Sequence, residues 1–125
     1  MLLHYNRQGE PIDLWEWAKL LEDLDYRRVA HDEVEGYRVS TVWLGIDYGF
    51  LENGPPIIFE TMIFPPEGGE RDNDWIDLYM NRYPTEAAAS AGHDQAVMWI
   101  RERLAEVAKM TEPNVESRKG CDEEA

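Results

Sequence analysis

Asp72, Asp74 and Asp77 are the nearest thing in this chain to a metal-ligating pattern. Hard cations such as Ca²⁺ or Mg²⁺ need several converging oxygens, and D-N-D-x-x-D supplies them on a polar segment. The stretch lacks the central glycine and the distant bidentate Glu of an EF-hand loop, so its composition reads as a solvated acidic loop. Glu60 is the second candidate, an acid inside the apolar run IIFETMIF. Placed in a sheet, it needs a positive partner to offset desolvation, and Arg38 on the neighbouring predicted strand is the expected one. A catalytic acid would need a second positioned group, which the sequence does not offer. His93 falls on the apolar stripe of a predicted helix, where a satisfied core histidine is expected in place of a ligand, because no His or Cys spacing completes a metal set. Ser40 and Thr41 are strand residues with no His nearby in sequence. No G-x-S-x-G, H-E-x-x-H, paired CxxC or P-loop pattern occurs. Catalytic residues, metal ligands and cofactors are therefore expected to be none, and binding is favoured over catalysis.

The elements that would position these groups follow from periodicity. Leu2–Tyr5 suits a short edge strand, and Asn6-Arg7-Gln8-Gly9 a turn. A helix is predicted over about 13–25, with Leu14, Trp17, Ala18, Leu21 and Leu24 on one stripe. Asp13 and Glu16 there form a capping-box pattern. Trp15 lies off the stripe, against the opening strand or exposed for a partner. Tyr26–Val34 suits a strand exposed on one side, and Glu35-Gly36 a turn. In the strand from Tyr37, residues Tyr37, Val39, Thr41 and Trp43 share a face. Ile57–Phe64 is its partner, with Phe59, Thr61 and Ile63 on one side. The Gly45–Pro56 connection is long and marked by Gly and Pro, and long loops are frequently functional. Its Asp47, Tyr48, Phe50 and Asn53 read as a recognition surface, with folding back onto the core as the alternative. Trp75–Tyr83 alternates like a strand, with Ile76, Leu78 and Met80 on one face. A last helix over about 85–109 carries Ala89, His93, Ala96, Ile100, Leu104 and Val107, and Gly92 beside His93 would allow close helix–sheet approach.

This order predicts an α+β fold: a mostly antiparallel sheet of about four strands, with helices at about 13–25 and 85–109 packed on one face. One domain is expected over 1–110, followed by a disordered polar tail over 111–125. The chain has 125 residues, 43% of them hydrophobic, which is enough for a core without staples. The single Cys121 excludes an intramolecular disulfide. The N-terminus turns polar too soon for a signal peptide, and no apolar run approaches the ~20 residues of a membrane span.

Charge is the other strong signal. Twenty-six acids against twelve Lys and Arg give a formal net charge of −14. Such a field repels nucleic acid and anionic membrane and attracts basic surfaces, so neither is an expected partner. The acids cluster: nine lie between Glu10 and Glu35 against three bases, and six between Glu60 and Asp77 against Arg71. Acidity of this kind serves solubility, or it imitates nucleic-acid phosphates to fill a basic groove.

STVWLG, GPPIIFETMIF and RYPTEAAASAGH, in this order and spacing, resemble a family of small proteins encoded by tailed bacteriophages and prophages. The resemblance spans roughly Gly9 to His93. It departs at Pro84, where a small capping residue is expected, and at Tyr48, where His is expected. It implies a protein acting in the cytoplasm of a bacterial host, and it carries no catalytic residue with it. Three functions follow. The first is an acidic interaction protein that binds and inhibits a host nucleic-acid-handling or defence machine, in the manner of an anti-CRISPR. It would use Trp15, Glu16, Glu22, Asp25, Asp47, Tyr48, Phe50, Asp72 and Asp74, and its partner would be a bacterial protein with a basic surface. The second is a phage structural or accessory homo-oligomer. The third is a small metal-dependent hydrolase built on Asp72, Asp74, Asp77 and Glu60.

Overall fold

The computed structural model describes residues 3–47, 54–66 and 79–111. Two short strands open it, β1 (His4–Tyr5) and β2 (Pro11–Ile12), paired antiparallel. The turn between them is held by Asn6, whose Oδ1 accepts from the N–H groups of Gln8 and Glu10 at 3.0 and 2.9 Å. Helix α1 (Leu14–Glu22) then starts on Asp13, whose Oδ1 accepts from the Glu16 N–H at 2.8 Å. The chain continues through α2 (Leu24–Arg27), β3 (Arg28–Val34), β4 (Tyr37–Trp43), β5 (Phe59–Phe64), β6 (Met80–Tyr83) and α3 (Glu86–Thr111). Strands β3-β4-β5-β6 form one antiparallel sheet in sequence order. The β3–β4 connection is a two-residue turn with φ of +51° at Glu35 and +90° at Gly36, the left-handed pair that matches strand twist in tight hairpins. The α+β meander expected from the sequence is the observed fold.

The sheet is covered on one face. Alternate residues of β4 (Tyr37, Val39, Thr41, Trp43) and of β5 (Phe59, Thr61, Ile63) are buried there. They meet Ala89, His93, Ala96 and Ile100 of α3. Burial of side chains the size of Trp43, Phe59 and Ile63 stabilises the fold by roughly 1.5–3 kcal/mol each, so this face dominates folding. Trp17, Leu20 and Leu21 of α1 extend the same core around Trp43. Trp17 Nε1 donates to the Leu44 carbonyl at 3.1 Å, and Trp43 Nε1 to the Tyr5 carbonyl at 3.0 Å. Gly45, at φ +77°, makes room for both indoles, since a Cβ there would strike them.

Three expectations need correction. The helix predicted over 13–25 is not continuous: it ends at Glu22, Asp23 adopts extended backbone, and its Oδ1 accepts from the Asp25 and Tyr26 N–H groups at 3.1 and 3.2 Å to start α2. An Asp side chain competes for backbone donors in this way, and mid-helix it favours a new cap. Leu24 therefore leaves the stripe and is exposed, as is Leu14 beside the first cap, while Leu20 packs inward. Second, Glu60 does not pair with Arg38. The register sets Glu60 opposite Val42 and Arg82, and Arg82 Nε donates to its Oε2 at 3.0 Å, while Arg38 lies over the Phe64 ring. Third, of the strand predicted over Trp75–Tyr83, the described Tyr79 lies outside it and β6 begins at Met80, whose side chain is exposed. Ile76, Leu78 and the predicted tail beyond Thr111 lie outside the described residues. Helix α3 is capped by Thr85, whose Oγ1 accepts from the Ala88 N–H at 3.1 Å.

Candidate interaction surface

The sequence offered two kinds of site, chemical and adhesive, and the structure separates them. The chemical one is a row of polar groups through the core. Thr61 Oγ1 lies 2.5 Å from Thr41 Oγ1, Thr41 Oγ1 lies 2.8 Å from His93 Nδ1, and His93 Nε2 lies 2.7 Å from Asp32 Oδ2. An ionised carboxylate only accepts hydrogen bonds. Nε2 of His93 thus donates to Asp32, and where Nδ1 carries no proton it accepts from Thr41, whose oxygen accepts from Thr61. Each hydroxyl and ring nitrogen in the row is satisfied.

A hydroxyl, an imidazole and a carboxylate in series have the composition of a nucleophilic triad, but the access is reversed. Both threonines are 0% exposed and His93 is 2% exposed, whereas Asp32 opens to solvent. The hydroxyls cannot touch a substrate. The row instead lies between two apolar clusters, Val39–Ile63–Ala96–Ile100 on one side and Trp43–Phe59–Ala89 on the other. Sliding α3 by one turn would put an imidazole against apolar side chains and orphan two buried hydroxyls. That cost fixes the register of helix on sheet. His93 is thus the anchoring core histidine that the sequence pointed to. Its partners Asp32, Thr41 and Thr61 were not legible, because they lie 61 and 52 residues away or further along the row.

The candidate adhesive surface is that of α1 and α2. No residue of either helix is fully buried. Trp15 is 78% exposed, Leu14 53% and Leu24 68%. Asp13, Glu16, Glu22, Asp23 and Asp25 are exposed in the same fifteen-residue segment, with Lys19 as its exposed base. Trp15 and Glu22, seven residues apart, share a helix face. A large indole in water among carboxylates has no folding rationale, since Trp17, Leu20 and Leu21 make the helix's contacts to the core around Trp43.

The other expected site residues are dispersed or undescribed. Asp47 is half-buried, and its Oδ1 accepts from the Ile57 N–H at 2.8 Å across the base of the long loop. Tyr48, Phe50, Asp72 and Asp74, together with Asn53 and Asp77, lie outside the described residues. Among the described residues no group of three or more His, Cys, Asp or Glu converges as a metal site. No described helix is long and apolar enough to cross a membrane.

No protein-family model, curated protein or solved structure matches this chain.

Proposed function

We propose that this chain is a phage- or prophage-encoded interaction protein that binds a basic surface on a bacterial nucleic-acid-handling or defence protein and blocks it. The observation that carries the reading is Trp15, held in water on α1 with carboxylates on either side along the segment. Aromatic anchors supply much of the energy of protein interfaces, and surrounding charge sets partner choice and association rate. A net charge of −14 adds long-range attraction to a basic groove and repulsion from nucleic acid itself. In this reading Trp15 fills an apolar niche, and Glu16, Glu22 and Asp25 meet Arg or Lys that otherwise contact phosphates. The bacterial cytoplasm is where such a partner would be met.

The test is affinity capture from nuclease-treated bacterial lysate, with stepwise salt elution, on wild type and on Trp15→Ala in parallel. A basic nucleic-acid-binding protein retained by wild type and lost from Trp15→Ala supports the proposal. Equal retention by both chains removes Trp15, and the reading with it.

A further inference from the structure

A shallow groove of about 170 Å³ runs between α2 and the face of the sheet opposite α3, lined by Leu24, Arg27, Arg28, Ser40 and Val42. Among the described residues two consecutive arginines and a hydroxyl line it, and no acid does, on a chain that carries 26 acids against 12 bases. The local structure explains why they converge. Arg28 stands opposite Val42 in the β3–β4 register, and the register shifts between Arg28 and Ala30. A bulge of this kind twists the strand and re-aims its side chains. Arg27 ends α2, one residue earlier, and so reaches the same opening from the helix side.

The hydrogen bonding of Arg27 is incomplete. Its Nη1 reaches the Leu21 carbonyl only at 3.5 Å, and its Nε is shielded from solvent with no partner. An orphaned, desolvated N–H of a charged group is costly. Arg28 is exposed and forms no ion pair with a described residue. Glu60, opposite Val42 on the next strand, is already paired with Arg82.

The geometry points to an oxyanion site that takes a carboxylate on a short aliphatic group. The guanidinium of Arg27, swung toward the opening, would present its Nε–Nη2 edge as a fork for the two carboxylate oxygens, the arrangement that Arg7 already makes with Glu86. Arg28 adds charge at the mouth, Ser40 donates from the sheet, and Leu24 with Val42 receive the aliphatic part. The volume is too small for a nucleotide. The −14 field favours a monoanion over a phosphate dianion, because each added negative charge meets more repulsion. The carboxylate comes from a free short-chain acid or from the C-terminal residue of a bound protein, and both have the same chemistry at Arg27. The site shares Leu24 with the α1–α2 surface but does not involve Trp15.

The experiment is an NMR titration of the isotope-labelled protein, following the Arg27 and Arg28 Nε–H signals and the Ser40 amide. Sodium butyrate and N-acetylleucine are the probes, with sodium phosphate and sodium chloride at matched ionic strength as controls. A saturating shift with a carboxylate, about tenfold weaker in Arg28→Gln, is expected. Tighter binding of N-acetylleucine would assign a chain terminus as the source, and tighter binding of butyrate a free acid. Shifts that stay linear to about 50 mM, match those from chloride, or are unchanged in Arg28→Gln overturn the site. So does preference for phosphate. Arg28 is exposed, so its substitution leaves the fold intact, and Leu24→Asp, also at an exposed position, gives a second variant that should abolish binding.

Discussion

At the scale of single residues, the molecule keeps its polar chemistry inside and its apolar anchor outside. The Thr61–Thr41–His93–Asp32 row is the clearer case. Thr41→Val preserves shape but leaves His93 Nδ1 and the Thr61 hydroxyl without their partner. We expect it to destabilise the domain by about 1–3 kcal/mol, or a fall in Tm of roughly 4–8 °C per kcal/mol for a domain of this size. Thermal unfolding measures this, and an unchanged Tm would remove the row as a structural element. Arg7 is a second determinant. Its Nε and Nη2 hold both oxygens of Glu86 at the start of α3, at 3.0 and 2.5 Å, and its Nη1 donates to the Tyr26 carbonyl at 3.0 Å. One side chain thereby ties the β1–β2 turn to α2 and α3. Arg7→Lys keeps the charge but loses the fork, and should cost about 1 kcal/mol in chemical denaturation.

Tyr79 supplies a pH dependence. Burial, with a smaller contribution from Tyr83, raises its phenol above the ordinary 10.0, against a lowering hydrogen bond from Asn81. The folded state therefore favours the neutral phenol more than the unfolded state does. That stabilisation is fully present below about pH 10 and is lost as pH climbs from there through the raised value. Tyr79→Phe should flatten this alkaline loss of stability, measured by denaturant titration at pH values on both sides of the window.

At the scale of elements, what was legible was what periodicity encodes. The alternation in Tyr37–Trp43 and Ile57–Phe64, the stripe of α3 and the Glu35-Gly36 turn all led to the observed meander and its long covering helix. The break at Asp23 was not legible. The apolar stripe runs through it, and only the capping of Asp25 and Tyr26 by the Asp23 side chain shows that the chain restarts there. The Glu60–Arg82 pair was missed for a related reason: strand register across a long connection cannot be fixed from one sequence. The site residues divide in the same way. The position of Trp15 off the stripe left exposure or packing on the opening strand open, and the structure exposes it, whereas the inward turn of Asp47 and the convergence of Arg27, Arg28 and Ser40 depend on tertiary contacts. Gly92 shows an element-scale constraint that was legible. A Cβ there would overlap the end of the Tyr83 ring, so the glycine lets α3 lie against β6. Gly92→Ala should destabilise by about 1–3 kcal/mol despite its better helix propensity. Tyr83→Leu in the same chain should recover part of the loss, and additivity in a double-mutant cycle would contradict the contact.

At the scale of the whole molecule, charge is distributed by function of face. The segment from Asp13 to Asp25 presents carboxylates around Trp15, while Arg27, Arg28, Arg38 and Arg82 lie toward the side of the sheet opposite α3. A −14 chain that served only solubility would have no reason to expose a Trp in its acidic segment. Interaction through that segment must carry two signatures: loss of affinity when the indole is removed, and salt dependence that falls when the carboxylates are removed. Both act without loss of fold, because Trp15, Glu16, Glu22 and Asp25 are all exposed.

The central claim is tested most directly by the salt dependence of the dissociation constant for the captured partner, compared between wild type and the Glu16→Lys, Glu22→Lys, Asp25→Lys triple variant. The account predicts weaker binding by tenfold or more, about 1.4 kcal/mol, with a flatter dependence on salt and an unchanged Tm. The same affinity and the same salt slope in both chains would contradict it.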